Sequence, residues 1–488
     1  MKTFGRGSAV HKRKITLFIT IAMAAGAPAA QAQVASKDAG YPLAAQGWGG
    51  KTGADTWLSR YVEDWSVLRN PAKRTGMFDG LKYIPFNDSG STYLSLSMEQ
   101  RFRGDYYSAI GLRDGAASQS PWLYRAFLGA DLHVGEHFRA FTELAHGSYD
   151  GRNVTSKPVS QQDDATLQQA FVDLTGKWGD ADVGMRVGRQ DFQDGPQWLV
   201  TTRENANTRI TFDGVRAWAI GTDKRLDVFD YRYVDQQSGY FDDGTLSSKR
   251  FSGVLAGFRL AGTGLYLDPF WFHASDDNKA WGGKVAKETR DYFGVHFYGT
   301  HGALTFDTAA IYQTGDFGDR DLRAYSAYST FNWKLSKQGW SPQLGFHADL
   351  SSGGGAYGTG TLHNSSILFG SGPYHSWGTW FGASNYMAFA PIFQFAPTKT
   401  TSVQLQYQRV WREDTSDAVY TSTGAPYAGT QLIGGKHTGD LLRLNTTWKV
   451  NRYISFTARA ERFLASSSME DAGFGDATFF GGWMTFRF

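Results

Sequence analysis

Thr478-Phe-Phe-Gly-Gly-Trp-Met-Thr-Phe-Arg-Phe488 closes the sequence, and its alternation decides the fold. Phe480, Met484, Phe486 and Phe488 share one face at period two, with Gly482 between them. Trp483, Thr485 and Arg487 share the other. This is a strand with one apolar and one mixed face. A strand of this kind with an aromatic last residue fits a transmembrane barrel, where it pairs with the first strand and leaves no edge in lipid. The plainer alternative is the terminal strand of a soluble sheet.

The opposite end argues for export. Lys2, Arg6, Lys12, Arg13 and Lys14 precede an apolar run from Ile15 to Ala25. Ala30-Gln31-Ala32 is a small-x-small cleavage site, so residues 1–32 are expected to be a signal peptide. The run is too short for a membrane-spanning helix. The sequence carries 49 Lys+Arg against 46 Asp+Glu. The signal holds five of those cations and no acid. The basic pI therefore belongs mostly to the signal and implies no nucleic-acid partner. With no cysteine there is neither a disulfide framework nor a thiolate metal site. Aromatic residues make up 15% of the chain, and 58 of its 488 residues are glycine. Without a long apolar helix, that composition suits a barrel with aromatic girdles.

Connection lengths carry the argument further. From about residue 92 the chain offers eighteen strands of roughly 10 residues, the length a tilted membrane strand needs. Short turns, such as Gly135-Glu136-His137 and Asn451-Arg452, alternate with longer polar loops. The longest loops are 191–210, 351–385 and 412–439. The expected fold is an all-β transmembrane antiparallel barrel over 92–488, with short periplasmic turns and long extracellular loops. Residues 33–91 form a periplasmic extension able to plug the lumen. There Trp57, Tyr61 and Trp65 recur every four residues, predicting a short amphipathic helix.

Strand faces agree with a barrel. In 122–134, Tyr124, Ala126, Leu128, Ala130, Leu132 and Val134 face lipid, while Arg125, Asp131 and His133 face in. In 453–464, Ile454, Phe456, Ala458 and Ala460 oppose Ser455, Thr457, Arg459 and Glu461. A charge turned to lipid at mid-membrane costs about 2–4 kcal/mol. Most charges avoid that face, which predicts a polar, wet interior.

Three stretches resemble the alginate export family of outer-membrane barrels. The first is Asp64-Trp65-Ser66-Val67-Leu68-Arg69-Asn70 with Leu81-Lys82-Tyr83-Ile84-Pro85. The second is Val187-Gly188-Arg189-Gln190 followed by Arg203, Asn207, Arg209 and Phe212-Asp213-Gly214-Val215-Arg216. The third is Trp411-Arg412 with Asp417 and Val419-Tyr420. The resemblance runs from about residue 60 onward. It implies a monomeric barrel in the outer membrane of a Gram-negative bacterium that exports an anionic polysaccharide, with outer-membrane lipid around it and periplasmic export components as further partners. The family's constriction is lined by arginines. Loop 351–385, by contrast, contains no Arg or Lys.

The residues themselves suggest a passive, anion-selective conduit. Arg101, Arg103, Arg125, Arg139, Arg186, Arg216, Arg232, Arg443, Lys449 and Arg459 are the expected pore-lining cations. Glu99, Asp131, Glu143, Asp173, Asp230, Asp307 and Glu461 are interspersed acids. Arginine forks match carboxylates, and mixed charge keeps binding weak enough for release. The same residues equally suit ion pairs that brace the wall. Arg189, Arg203, Arg209 and Asp213 are expected to form one network anchoring loop 191–210; the alternative is a bulge near Gly188 that turns Arg189 into the lumen. No G-x-S-x-G or H-E-x-x-H motif occurs, and no catalytic residue, cofactor or metal ligand is expected. The main alternative is a general or sugar/organic-acid-selective uptake porin. A sealed adhesive barrel fits poorly with so many strands.

Overall fold

A computed structural model describes residues 41–47, 52, 56–370 and 372–488. The expected signal, 1–32, and the first part of the expected extension lie outside the described residues. Eighteen strands form the wall. They are β1 (Thr92–Tyr107), β2 (Ser120–Val134), β3 (Phe138–Arg152), β4 (Asp163–Trp178), β5 (Ala181–Gln190) and β6 (Phe212–Ile220). Next come β7 (Lys224–Asp235), β8 (Gly244–Arg259), β9 (Gly264–Trp281), β10 (Lys284–His301), β11 (Leu304–Phe317) and β12 (Arg320–Lys334). The last six are β13 (Gln343–Ser351), β14 (Tyr386–Thr398), β15 (Thr401–Trp411), β16 (His437–Lys449), β17 (Ile454–Ala465) and β18 (Ala477–Arg487). Each pairs antiparallel with its neighbour in sequence.

β18 then pairs with β1, from Phe479 opposite Tyr107 to Arg487 opposite Glu99. The sheet therefore has no free edge, the condition that lipid imposes on strands. Side-chain alternation assigns the two faces. Phe480 is 51% exposed while its neighbour Phe479 is 1% exposed. The outward set is apolar, and Trp178, Trp333 and Trp448 stand exposed at the periplasmic ends of their strands. That is the place of an interfacial aromatic belt.

Two connections expected to be loops are hairpins instead. β9 and β10 run 18 residues each and meet at Gly282-Gly283. Both glycines have positive φ, +56° and +80°, as a tight hairpin turn requires. β11 and β12 likewise meet through only residues 318–319. Polar sequence at these tips reads as loop because strands rising above the membrane no longer need an apolar face.

The expected helix around Trp57, Tyr61 and Trp65 is not formed. The segment is a chain of short 3-10 turns, including Arg60–Val62 and Ser66–Arg69. Its aromatic residues are fixed by the barrel rather than by helical packing. Tyr61 lies edge-on to Phe141 and Phe171, ring centroids 5.5 and 5.1 Å away. Both partners face the lumen, so this segment sits inside the barrel's periplasmic end.

The interior is also less wet than the strand pattern predicts. Phe229, Tyr231, Phe251, Leu255, Phe270 and Phe272 point inward from β7, β8 and β9. They form one buried cluster with Phe192, Trp198, Leu199, Val200 and Ile210 of loop 191–211. Ile367, Leu368 and Phe369 of loop 352–385 pack against it. A period of two reports which face a residue occupies, not whether that face meets water or an inward loop.

Candidate functional site

The lumen is organised by arginines gripping the inward loops. On β1 and β2, Arg101 donates to the carbonyls of Glu204 and Ala206 at 2.9 and 2.8 Å. Arg103 donates to Asp105 at 2.7 Å and to the Asn205 side chain at 2.9 Å. Arg125 is fully buried, ion-pairs with both Glu99 and Glu204, and donates to the Ala206 carbonyl at 2.8 Å. Arg209 pairs with Glu204 at 2.9 Å, and Arg487 reaches Glu99 at 2.5 Å. Burial pushes the Glu204 carboxyl up, but Arg125 and Arg209 more than offset this and hold it down at about 2. Loop 191–211 is thus clamped across the pore by charge-assisted hydrogen bonds, the stronger kind.

A second group holds the other end of that loop. Asp194 receives Arg216 at 3.1 Å and Arg225 at 2.6 Å. Arg216 also pairs with Asp227 at 2.6 Å, and Arg225 with Asp268 at 2.9 Å. Below them, Arg186 pairs with Asp173 at 2.8 Å and lies over the rings of Phe171 and Tyr61. Tyr61 donates to Asp191, and the Leu58 carbonyl accepts from Arg209. The N-terminal segment and loop 191–211 therefore meet inside the barrel.

A third group is different in kind. Arg103, Trp483, Arg459, Trp377 and Arg443 alternate across β1, β18, β17, loop 352–385 and β16. The Arg459 guanidinium lies 5.0 Å from the Trp483 ring centroid and 5.2 Å from that of Trp377. Arg103 covers Trp483 at 5.1 Å, and Arg443 covers Trp377 at 4.3 Å. The outer arginines are neutralised, Arg103 by Asp105 and Arg443 by Glu461 at 2.9 Å. Among the described residues Arg459 donates only to the Asn445 side-chain oxygen, at 3.0 Å, and no carboxylate reaches it. It is partly exposed to the lumen.

The remaining expected cations divide. Arg139 faces in and pairs with Asp131. Lys449 has the inward parity of Arg443 but stands exposed at the periplasmic end of β16. Arg232 does not line the pore. It pairs in register with Arg250, on the face where Arg250 and Asp230 form an exposed ion pair. Asp230 is outside the lumen for the same reason, because Phe229 and Tyr231 take the inward positions. Arg189 and Asp213 also leave the expected network. β5 keeps an unbroken register through Gly188, so Arg189 lies on the face opposite Arg186 and pairs with Asp213 at 2.9 Å. Arg209 alone of that set clamps the loop.

Arg225, Arg290 and Arg487 escape the sequence-based list, as do Glu204 and Asp194. One signal was available for two of them. Arg225 with Asp227, and Glu288 with Arg290, place opposite charges two residues apart, hence on one face. The same spacing joins Arg103 to Asp105.

A family model described as alginate export matches residues 92–478. No curated protein matches the sequence. Among solved structures, OccAB1 of Acinetobacter baumannii superposes with a TM-score of 0.56 at 12% identity, covering 84% of this chain and 99% of that one. OccK2 (OpdF) of Pseudomonas aeruginosa in complex with glucuronate gives 0.53 at 10% identity, covering 81% and 97%. OpdK of the same organism with vanillate gives 0.52 at 11%, covering 80% and 98%. At these identities the likeness concerns the fold: a closed eighteen-stranded antiparallel barrel.

Proposed function

The chain belongs to the alginate export family of outer-membrane β-barrel channels, and on that premise we propose that it conducts an anionic, uronate-bearing polysaccharide out of the cell. The observation that carries this reading is Arg459. It is a lumen cation with no carboxylate partner among the described residues, set between two tryptophan rings. A uronate offers a carboxylate to the guanidinium fork and an apolar sugar face to an aromatic ring, so this arrangement suits successive units of an acidic polymer. Most other lumen arginines are spent on loops and acids. Passage then requires loop 191–211 to leave Arg101, Arg103 and Arg125, which exposes further cations along the path. Residues 33–91 are in this reading a periplasmic extension, and its described part closes the lower end.

The same architecture serves a small-acid uptake porin, and the relative crystallised with glucuronate keeps that reading in view. One experiment separates the two: single-channel conductance in a planar bilayer under a salt gradient, with uronic-acid polymer or monomer added. Anion selectivity with concentration-dependent block by polymer, weakened at least ten-fold in Arg459→Gln, supports the export conduit. Passage of monomer without polymer block moves the assignment to uptake. Cation selectivity with no block overturns both.

A further inference from the structure

A separate cavity of about 250 Å³ lies at the extracellular end of the lumen, between the inward faces of β8–β10 and the three long loops. A β-bulge builds part of it. The β9–β10 register gains one residue between Asp276 and Lys279, which turns Lys279 and Trp281 inward where regular alternation would turn them out. Lys279 then lies over the Trp281 ring at 5.1 Å and donates to the Ser366 hydroxyl at 3.3 Å. Lys249 lines the same space, over the Tyr233 ring at 5.7 Å and paired with Asp276 at 3.3 Å.

Arg203 enters from loop 191–211. It holds a left-handed backbone, φ +59°, that side chains other than glycine seldom adopt. Among the described residues its guanidinium makes no hydrogen bond and no ion pair, while every neighbouring arginine of the loop clamp is engaged. Burial pulls it below the usual arginine range, and no carboxylate offsets that. Among the described residues neither Arg203 nor Lys279 forms an ion pair, although Asp276 and Glu288, paired with Lys249 and Arg290, line the same cavity together with Ser366 and Ser422.

We infer that this cavity is a binding site for a single sugar acid, its carboxylate held between Arg203 and Lys279 and its hydroxyls by the serine side chains. Naming the ligand as a uronate rests on the export reading. The cationic site itself stands on the cavity alone. It is distinct from the Arg459 ladder, which belongs to the β16–β18 side of the wall.

The test uses the full-length protein in detergent, with glucuronate, glucose and sulfate as probes and calorimetry as the readout. Saturable glucuronate binding is expected, with glucose silent. Arg203→Gln and Lys279→Gln should each weaken it at least ten-fold, and Arg203→Lys should restore part of it. Heat-modified gel mobility confirms that each variant is a folded barrel. Glucuronate affinity unchanged in both glutamine variants overturns the site. Sulfate displacing glucuronate at equal concentration overturns the sugar-acid assignment. If polymer block at Arg459 persists while this binding is absent, the inference fails and the export reading survives. If this binding is present without polymer block, the reverse holds.

Discussion

Tyr61 donates its phenol proton to Asp191 at 2.6 Å, linking the segment before the barrel to the first residue of loop 191–211, the inward crossing between β5 and β6. Burial and the Asp191 charge both push the Tyr61 hydroxyl above its ordinary range, so it remains a donor at any physiological pH. A hydrogen bond to a charged group contributes about 1.5–3 kcal/mol. Tyr61→Phe keeps the ring between Phe141 and Phe171 and removes the hydroxyl with its hydrogen bonds, the Asp191 link among them. We expect more frequent channel opening without loss of barrel stability, read by single-channel recording. Unchanged opening would show that the link does not restrain the loop.

Glu204 binds three arginines of the loop clamp: Arg125, Arg209 and Arg487. Its carboxyl is depressed to about 2 in the folded protein. A depressed carboxyl stabilises the docked loop at pH values above its unfolded pKa, and that contribution is lost as pH falls through the folded value. Conductance should therefore be flat from about pH 8 to 5 and rise only as pH falls toward 2, within the range where ordinary carboxylates have already titrated. Glu204→Gln should open the channel at neutral pH and raise anion selectivity, because three guanidinium groups lose a partner.

Glu461 accepts from the Ser376 hydroxyl at 2.6 Å, from the amides of Trp377 and Gly378 at 2.8 and 3.2 Å, and from Arg443. Glu461→Ala strips four donors at once. Removing one partner of a buried pair typically costs about 3–5 kcal/mol. The expected outcomes are a lower unfolding midpoint in denaturant and faster proteolytic cleavage within 352–385, together with weaker polymer block, since Trp377 is released from Arg459.

A Cβ at Gly282 would come within 2.0 Å of the Ala356 carbonyl oxygen, in a left-handed backbone position. Gly282→Ala should destabilise the β9–β10 hairpin by more than the roughly 1 kcal/mol that an incompatible glycine replacement commonly exceeds. Its thermal midpoint in heat-modified mobility should fall. Gly262→Ala also sits at positive φ but has open space around it, and should fall less.

The closing strand, the strand number and the lipid face were legible because membrane and hydrogen-bond constraints act on every residue of a strand. Phe480, Gly482 and Met484 facing out, with Trp483 and Arg487 facing in, needed only period two. The destinations of the inward side chains were not legible. Phe229 and Arg216 both point inward, yet one meets Phe192 and the other Asp194, partners supplied by a loop with no periodicity. Arg232 was misplaced because a single arginine does not announce its face; its neighbours Phe229 and Tyr231 do. The alternation gives Arg459 the parity of Glu461, but its lack of an acid partner among the described residues is visible only in three dimensions.

The seam between β18 and β1 also bears on how the molecule is made. Arg60 donates to the Phe488 carbonyl at 2.5 Å, and Lys82 donates to the Leu96 carbonyl at 2.9 Å, so the lumenal segment holds one residue from each side of the join. A cylinder already welded shut would have to be threaded from below to reach this state. The simpler order of assembly places the segment first, as a former, and wraps the last strand around it.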